Sequence, residues 1–229
     1  MQGEMIDVRS SSAPLLLFGV DSIFSAEVIE TAQRLNRKIA HALELGAPEW
    51  DYFGIKVASV VLPLPATVLK LSVSVPWVTP GFRQEKVLLA KEMGFVEFAT
   101  LVDPTAVIAQ STKVQVGTFI NAGATLGAYV SLDDHVLVNR NASIGHHSGC
   151  GSFVSIGPGA TVAARCSIGK GTMIGAGAVI SSGITIGENC LITVGAVVSR
   201  NLPNNVMAGG NPARVIRSGF SGYKGSSVA

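Results

Sequence analysis

A chain of 229 residues is long enough to bury a real core, in one large domain or two small ones. Only 14% of the residues are charged and the formal net charge is +2, so the chain lacks the basic face that nucleic acid requires. The three cysteines, Cys150, Cys166 and Cys190, are an odd number without CxxC spacing. That argues against a disulfide framework or a cysteine zinc site and fits reduced thiols in the cytoplasm.

Residues 1–13 are polar, lack the apolar core of a signal peptide and read as a flexible tail. Residues 14–100 carry an α/β pattern. Leu15–Phe18 is a short apolar strand, Gly19 to Ser22 a loop, and Ile23–Leu35 an amphipathic helix that Ser22 or Asp21 is placed to cap. Arg37–Leu43, Lys56–Val61 and Leu71–Val75 are strand candidates, Pro80–Met93 is a helix, and Val96–Ala99 is a last strand. Strands alternating with helices predict a small parallel sheet whose ligand site lies beyond the strand C-termini. The stretch Val57–Val78 is apolar, but Pro63, Pro65, Lys70 and Pro76 interrupt it, which favours buried strands over membrane insertion.

From Val102 to Val198 an aliphatic residue, or Cys150, recurs every six positions, through seventeen hexads without a slip. Four residues after each comes a small or apolar residue, and Gly often stands second, as at Gly127, Gly145, Gly157 and Gly175. Each hexad reads as a short strand plus a turn, with its first and fifth positions pointing inward and Gly easing the turn backbone. Three hexads close one triangular coil, so residues eighteen apart stack at about 4.8 Å. One coil cannot bury its own apolar face, whereas a stack can. All three cysteines fall on inward positions, as small buried hydrophobes. The β-helix is expected over residues 101–203, a segment capping its open end over 204–217, and a mobile Gly/Ser-rich tail over 218–229.

His146 and His147 stand third and fourth in their hexad, at an outward-facing turn. Stacking by eighteen puts Ala164 one coil after His146 and places His147 between Tyr129 and Arg165. A base beside a backbone N–H is what acyl transfer needs: one removes the nucleophile's proton, the other holds the oxyanion. Position alone leaves a merely solvated corner open as well. Asn121 and Asn139 stack with Gly157 on another edge, as a structural ladder or as substrate contacts. His135 reads as a surface turn residue. No histidine follows His147, so the three-histidine zinc site of some β-helices is not expected, nor is any other metal.

The run Asn139-Arg-Asn-Ala-Ser-Ile-Gly-His-His147, with Ile156-Gly-Pro-Gly-Ala160, Ile174-Gly-Ala-Gly-Ala178 and Gly210-Asn-Pro-Ala-Arg214, resembles the bacterial nucleotide-sugar acetyltransferases of sialic-acid, bacillosamine and perosamine type. The resemblance implies a small Rossmann-like N-terminal domain joined to a left-handed parallel β-helix, against the usual right-handed crossover. It also implies a cytoplasmic homotrimer with acetyl-CoA bound between neighbouring β-helices. In that light His146 is the general base, His147 stands where a carboxylate often orients the base, and the Ala164 amide holds the thioester oxygen. Gly157, Gly175, Ala176 and Arg214 are then CoA contacts, and Gly19, Asp21, Ser22, Arg83, Asn121 and Asn139 acceptor contacts. The expected reaction is N-acetylation of an amino group, the 4-amino, of a nucleotide-linked deoxysugar. O-acylation of a hydroxyl acceptor and a non-catalytic scaffold are the alternatives. The loop Gly19-Val-Asp-Ser-Ile-Phe24 lacks the family's second glycine and its histidine, and no acidic pair follows the second strand in Ala40–Gly46.

Overall fold

The computed structural model describes residues 13–44, 50–52, 54–59 and 63–229. The expected tail at 1–13 therefore falls almost wholly outside the described residues, as do positions 60 and 61 of the predicted third strand.

The N-terminal part runs β1 (Leu15–Phe18), α1 (Ser25–Arg34), β2 (Ile39–Glu44), β3 (Trp50–Tyr52), β4 (Ile55–Ser59), α2 (Ala66–Leu69), β5 (Ser72–Ser74) and α3 (Pro80–Glu92). Its sheet has the order β3-β4-β2-β1-β5, parallel except for β3 against β4. The continuous apolar run of β1 follows from burial on both faces. Leu15 and Leu17 pack with Val28, Ile29 and Ala32 of α1, and Leu16 and Phe18 pack with Val87 and Ala90 of α3. Pro80 begins α3, where its missing N–H costs nothing. Two expectations are corrected. Phe24, not Ser22 or Asp21, occupies the cap position of α1, and no side chain caps that helix. Val96–Ala99 forms only a single bridge, between Phe98 and Val73, rather than a strand.

The hexads fold as predicted. Seventeen two-residue strands, β6 (Leu101–Val102) to β22 (Val197–Val198), build three parallel sheets in which partners are eighteen residues apart, as in Thr125 to Ser143. The first face starts with Leu101–Val102, the second with Val107–Ile108 and the third with Lys113–Val114. First and fifth hexad positions form one continuous core, which includes Cys150, Cys166 and Cys190. Burial pushes the Cys150 thiol up to about 12, so it is an inert packing group.

The structure relocates the role of the hexad glycines. The left-handed residue of each turn is the fourth, from Gly117 through Tyr129, His135, His147 and Arg165 to Gly195. The second-position glycines instead admit the backbone of the next coil: a Cβ on Gly145 would lie 2.6 Å from the Ala164 nitrogen, and one on Gly127 2.8 Å from that of His146.

A hairpin, β23 (Val206–Gly210) and β24 (Ala213–Ser218), pairs with the last strand of the first face and places Val206 and Ala208 over the end of the core. The tail expected to be mobile lies against the fold instead. Val228 is 4% exposed and exchanges two hydrogen bonds with the Asn189 side chain, and Gln84 of α3 bonds both backbone groups of Ala229. No helix among the described residues is long and apolar enough to cross a membrane.

Candidate active site

The three corners of the coil carry different chemistry. The second corner, between second and third faces, holds His146, His147 and Ala164, with both histidines exposed. Their Nδ1 atoms are 3.0 Å apart and their rings are near perpendicular, at 88°. The His147 ring lies against Tyr129 from the coil before, with centroids 4.9 Å apart and planes 36° apart. The backbone here is held coil to coil: His147 N donates to Ala128 O and Arg165 N donates to His146 O, each at 2.9 Å. Ser148 braces the same turn, its hydroxyl donating to Ala163 O at 2.8 Å and accepting from Cys166 N at 3.0 Å. The Ala164 N–H, next along the stack from His146, makes no hydrogen bond among the described residues. An exposed imidazole and an unused main-chain donor thus share one corner, the two kinds of group that acyl transfer uses.

The first corner holds Asn121, Asn139, Gly157, Gly175 and Ala176. Of the two readings for the asparagines, the structure builds the ladder. Asn121 Nδ2 donates to Asn139 Oδ1 and to Glu27 of α1, each at 3.1 Å, and both asparagines are buried. Glu27 also pairs with Arg140 at 2.8 Å, which clips α1 to this corner. Gly157 and Gly175 are pressed by the next coil, with a Cβ on either meeting backbone at 2.7 Å. Within one chain, therefore, these residues lie one corner away from His146. Arg214 is exposed on β24 and donates to Ala213 O at 3.0 Å.

The third corner corrects two expectations. His135 is buried, not a surface residue: its ring stacks on Phe153 at 5.0 Å and meets Phe98 edge-on at 5.1 Å. Burial, helped by Arg83 and Lys91, pulls its pKa down to about 3. Arg83, expected at the acceptor, is sealed in the junction between α3 and the β-helix. It donates to His135 O at 2.9 Å, Phe153 O at 2.8 Å, Val154 O at 3.1 Å and the Ser155 hydroxyl at 3.0 Å, and also to Trp77 O and Val78 O. Burial lowers its pKa to about 9, and it remains a cation at neutral pH.

At the N-terminal sheet, Gly19 ends β1 with φ +75°, as a loop glycine should, but the space above it is filled. Trp77 Nε1 donates to Gly19 O at 2.7 Å, and the Lys86 chain lies 3.1 Å from where a Cβ would stand. Lys86 Nζ pairs with Glu44 at 3.0 Å, and Glu44 also accepts from Asp21 N at 3.0 Å. Burial and the neighbouring Glu44 push the Asp21 carboxyl up. Burial alone would raise Glu44 too, but the Lys86 ammonium and the Asp21 N–H outweigh it and hold Glu44 below the usual carboxylate range. Ser22 accepts from Phe24 N at 3.3 Å. Glu44 was missed in the sequence because a single acid at a strand end carries no signal by itself.

Comparison with known proteins agrees with this architecture. Residues 148–182 and 165–200 match the bacterial transferase hexapeptide model of six repeats. No curated protein matches the chain by sequence. A perosamine N-acetyltransferase from Caulobacter crescentus, solved with CoA and GDP-perosamine, superposes with TM-score 0.83 at 26% identity, over 91% of this chain and 99% of that one. The acetyltransferase domain of PglB from Neisseria gonorrhoeae superposes with TM-score 0.80 at 25% identity, over 89% of this chain and 100% of that one. WeeI from Acinetobacter baumannii, at 22% identity and TM-score 0.80, shares the fold over 89% of this chain and 99% of that one. Residues 148–200 thus carry the repeat of the bacterial hexapeptide transferases, and the architecture is similar to that of the perosamine N-acetyltransferase and of the PglB acetyltransferase domain.

Proposed function

We propose that this chain is an acetyl-CoA-dependent N-acetyltransferase whose acceptor is an amino group, the 4-amino, of a nucleotide-linked deoxysugar. The observation that carries the reading is the pairing of His146 with the free Ala164 N–H on one exposed corner of the β-helix. The acceptor amine attacks the thioester carbonyl directly. The Ala164 N–H takes the oxyanion as the tetrahedral species forms, and His146 removes the proton from the attacking nitrogen. Collapse expels the CoA thiolate, which regains a proton from the imidazolium. The relatives solved with CoA, acetyl-CoA and GDP-perosamine support both substrate classes. A single corner is convex and cannot exclude water, so a homotrimer, in which a neighbouring prism covers it, suits the chemistry. The cytoplasm, where acetyl-CoA is at hand, is its expected location.

A second reading, O-acylation of a hydroxyl acceptor, is favoured by the filled space above Gly19. Trp77 and Lys86 occupy the volume that a diphosphate takes on an open glycine loop. Thiol release from acetyl-CoA distinguishes the two. GDP-perosamine and UDP- or dTDP-linked 4-amino sugars should be turned over, and their 4-hydroxy counterparts should not. Turnover confined to hydroxyl acceptors selects the second reading. Undiminished turnover by His146→Ala overturns the assigned base.

A further inference from the structure

We infer that His147 and Tyr129 form a positioning pair that holds His146 in the one tautomer able to act as a base. The inference rests on the reading of His146 as base. The Nδ1 atoms of the two histidines are 3.0 Å apart, so exactly one proton lies between two neutral rings. If His147 donates it, His146 carries its own proton on Nε2 and has no lone pair to offer outward. If His146 donates it, Nε2 is bare and faces the substrate as a base. Only the second arrangement works, and it requires His147 to keep its proton on Nε2 and accept at Nδ1.

A carboxylate in this place accepts a hydrogen bond in either orientation. An imidazole does so only when its tautomer and ring rotation are both set. The structure supplies a means of setting the rotation. His147 sits in the left-handed region, φ +59°, with its side chain exposed at the corner. Tyr129, at the same hexad position one coil earlier and with the same φ of +59°, lays its ring against it at 4.9 Å. The Tyr129 N–H is tied to the Ser111 hydroxyl at 2.9 Å, so the backbone that carries the stacking ring is held. The charged residue on this column is Arg165, one coil beyond. Tyr129 is 64% exposed and adds little to the core, so its ring is available for this role without being needed for folding. After proton transfer the His146 imidazolium keeps donating from Nδ1 to His147, and the pair stays intact through the step.

The test reads tautomers directly. The full chain, labelled with 15N-histidine, gives long-range proton–nitrogen spectra in which protonated and bare ring nitrogens are distinct, assigned with His146→Gln and His147→Gln. The expected result at neutral pH is a proton on His146 Nδ1 and on His147 Nε2. A proton on His146 Nε2 overturns the inference. Tyr129→Phe should leave this pattern intact. Tyr129→Ala should mix the His146 tautomers and, with acetyl-CoA and GDP-perosamine, lower kcat roughly 10-fold with KM nearly unchanged. An unmixed pattern in Tyr129→Ala removes Tyr129 from the pair. The base assignment fails separately, by full turnover in His146→Ala, which leaves the measured tautomers as they are.

Discussion

His135 and His147 occupy the same hexad position, with nearly the same backbone, φ +56° and +59°, yet live in opposite surroundings. His147 is exposed and bonded to a second imidazole, whereas His135 is 4% exposed between two aromatic rings. The repeat dictates where a side chain leaves the coil. What meets it there depends on which corner the hexad makes. The N-terminal α/β region covers the third corner through Phe98 and Arg83, and leaves His146 and His147 on the second corner exposed. The same left-handed turn is therefore a packing site on one edge and a candidate reaction site on the next.

The sharpest way to break this comparison is to remove each imidazole in turn. His146→Ala should lower kcat by roughly 10² to 10⁴ with the thermal midpoint nearly unchanged, as expected for loss of a general base. His135→Ala should do the reverse, lowering the midpoint while a folded fraction keeps its kcat. Equal rate losses in both variants would mean that the corners are not functionally distinct.

The cover itself comes next in size. Arg83→Met leaves the carbonyls of His135 and Phe153 without their buried donor, while Val154 O keeps its bond from Leu137 N. Urea unfolding should show a loss of about 3 kcal/mol or more. Little change would imply that the domain junction is held by apolar contact alone. Gly117→Ala should follow. A Cβ there runs into the His135 ring and is held at φ +71°, whereas one on Gly159 meets nothing at φ +65°. Left-handed strain is common to both, at about 1 kcal/mol. The excess in Gly117→Ala, about 1–2 kcal/mol by the same urea measurement, reports how firmly His135 is packed.

These residues also mark how far the sequence was legible. Period six fixes the coil, the inward positions and the stacking of Tyr129 on His147 and of His146 on Ala164, because each depends only on counting. Burial of the outward positions depends on a neighbour that counting does not see. A signal was nevertheless present: the sixth positions Leu101, Phe119 and Leu137 are large and apolar at eighteen-residue spacing, and they pack against α1. That column marks the first face as covered. His135, at the turn just before Leu137, lies at the edge of the same cover. Arg83 and Lys86 were not legible in role, since an arginine with six neutral acceptors and a lysine folded over a glycine arise from tertiary docking rather than from a motif.

The smallest expected effect is a pH dependence confined to the covered corner. His135 has a folded pKa of about 3, below the ordinary value of 6.5, because burial disfavours its cation. In the unfolded chain it takes up a proton as pH falls below about 6.5, while the folded chain does not. The stability gained from keeping His135 neutral is therefore complete above 6.5 and lost as pH drops toward 3, at about 1.4 kcal/mol per pH unit. Asp103 also titrates in acid, its carboxyl held low by Thr105 and Arg34 against the effect of burial, so the wild-type slope alone is not diagnostic. The difference is. His135→Gln cannot titrate, and urea unfolding at pH 7.5 and 5.5 should show the wild type losing about 1.4 kcal/mol more than the variant across that interval. Equal losses would mean that the His135 ring accepts a proton inside the folded corner, and the contrast with His147 would then be one of packing rather than of charge.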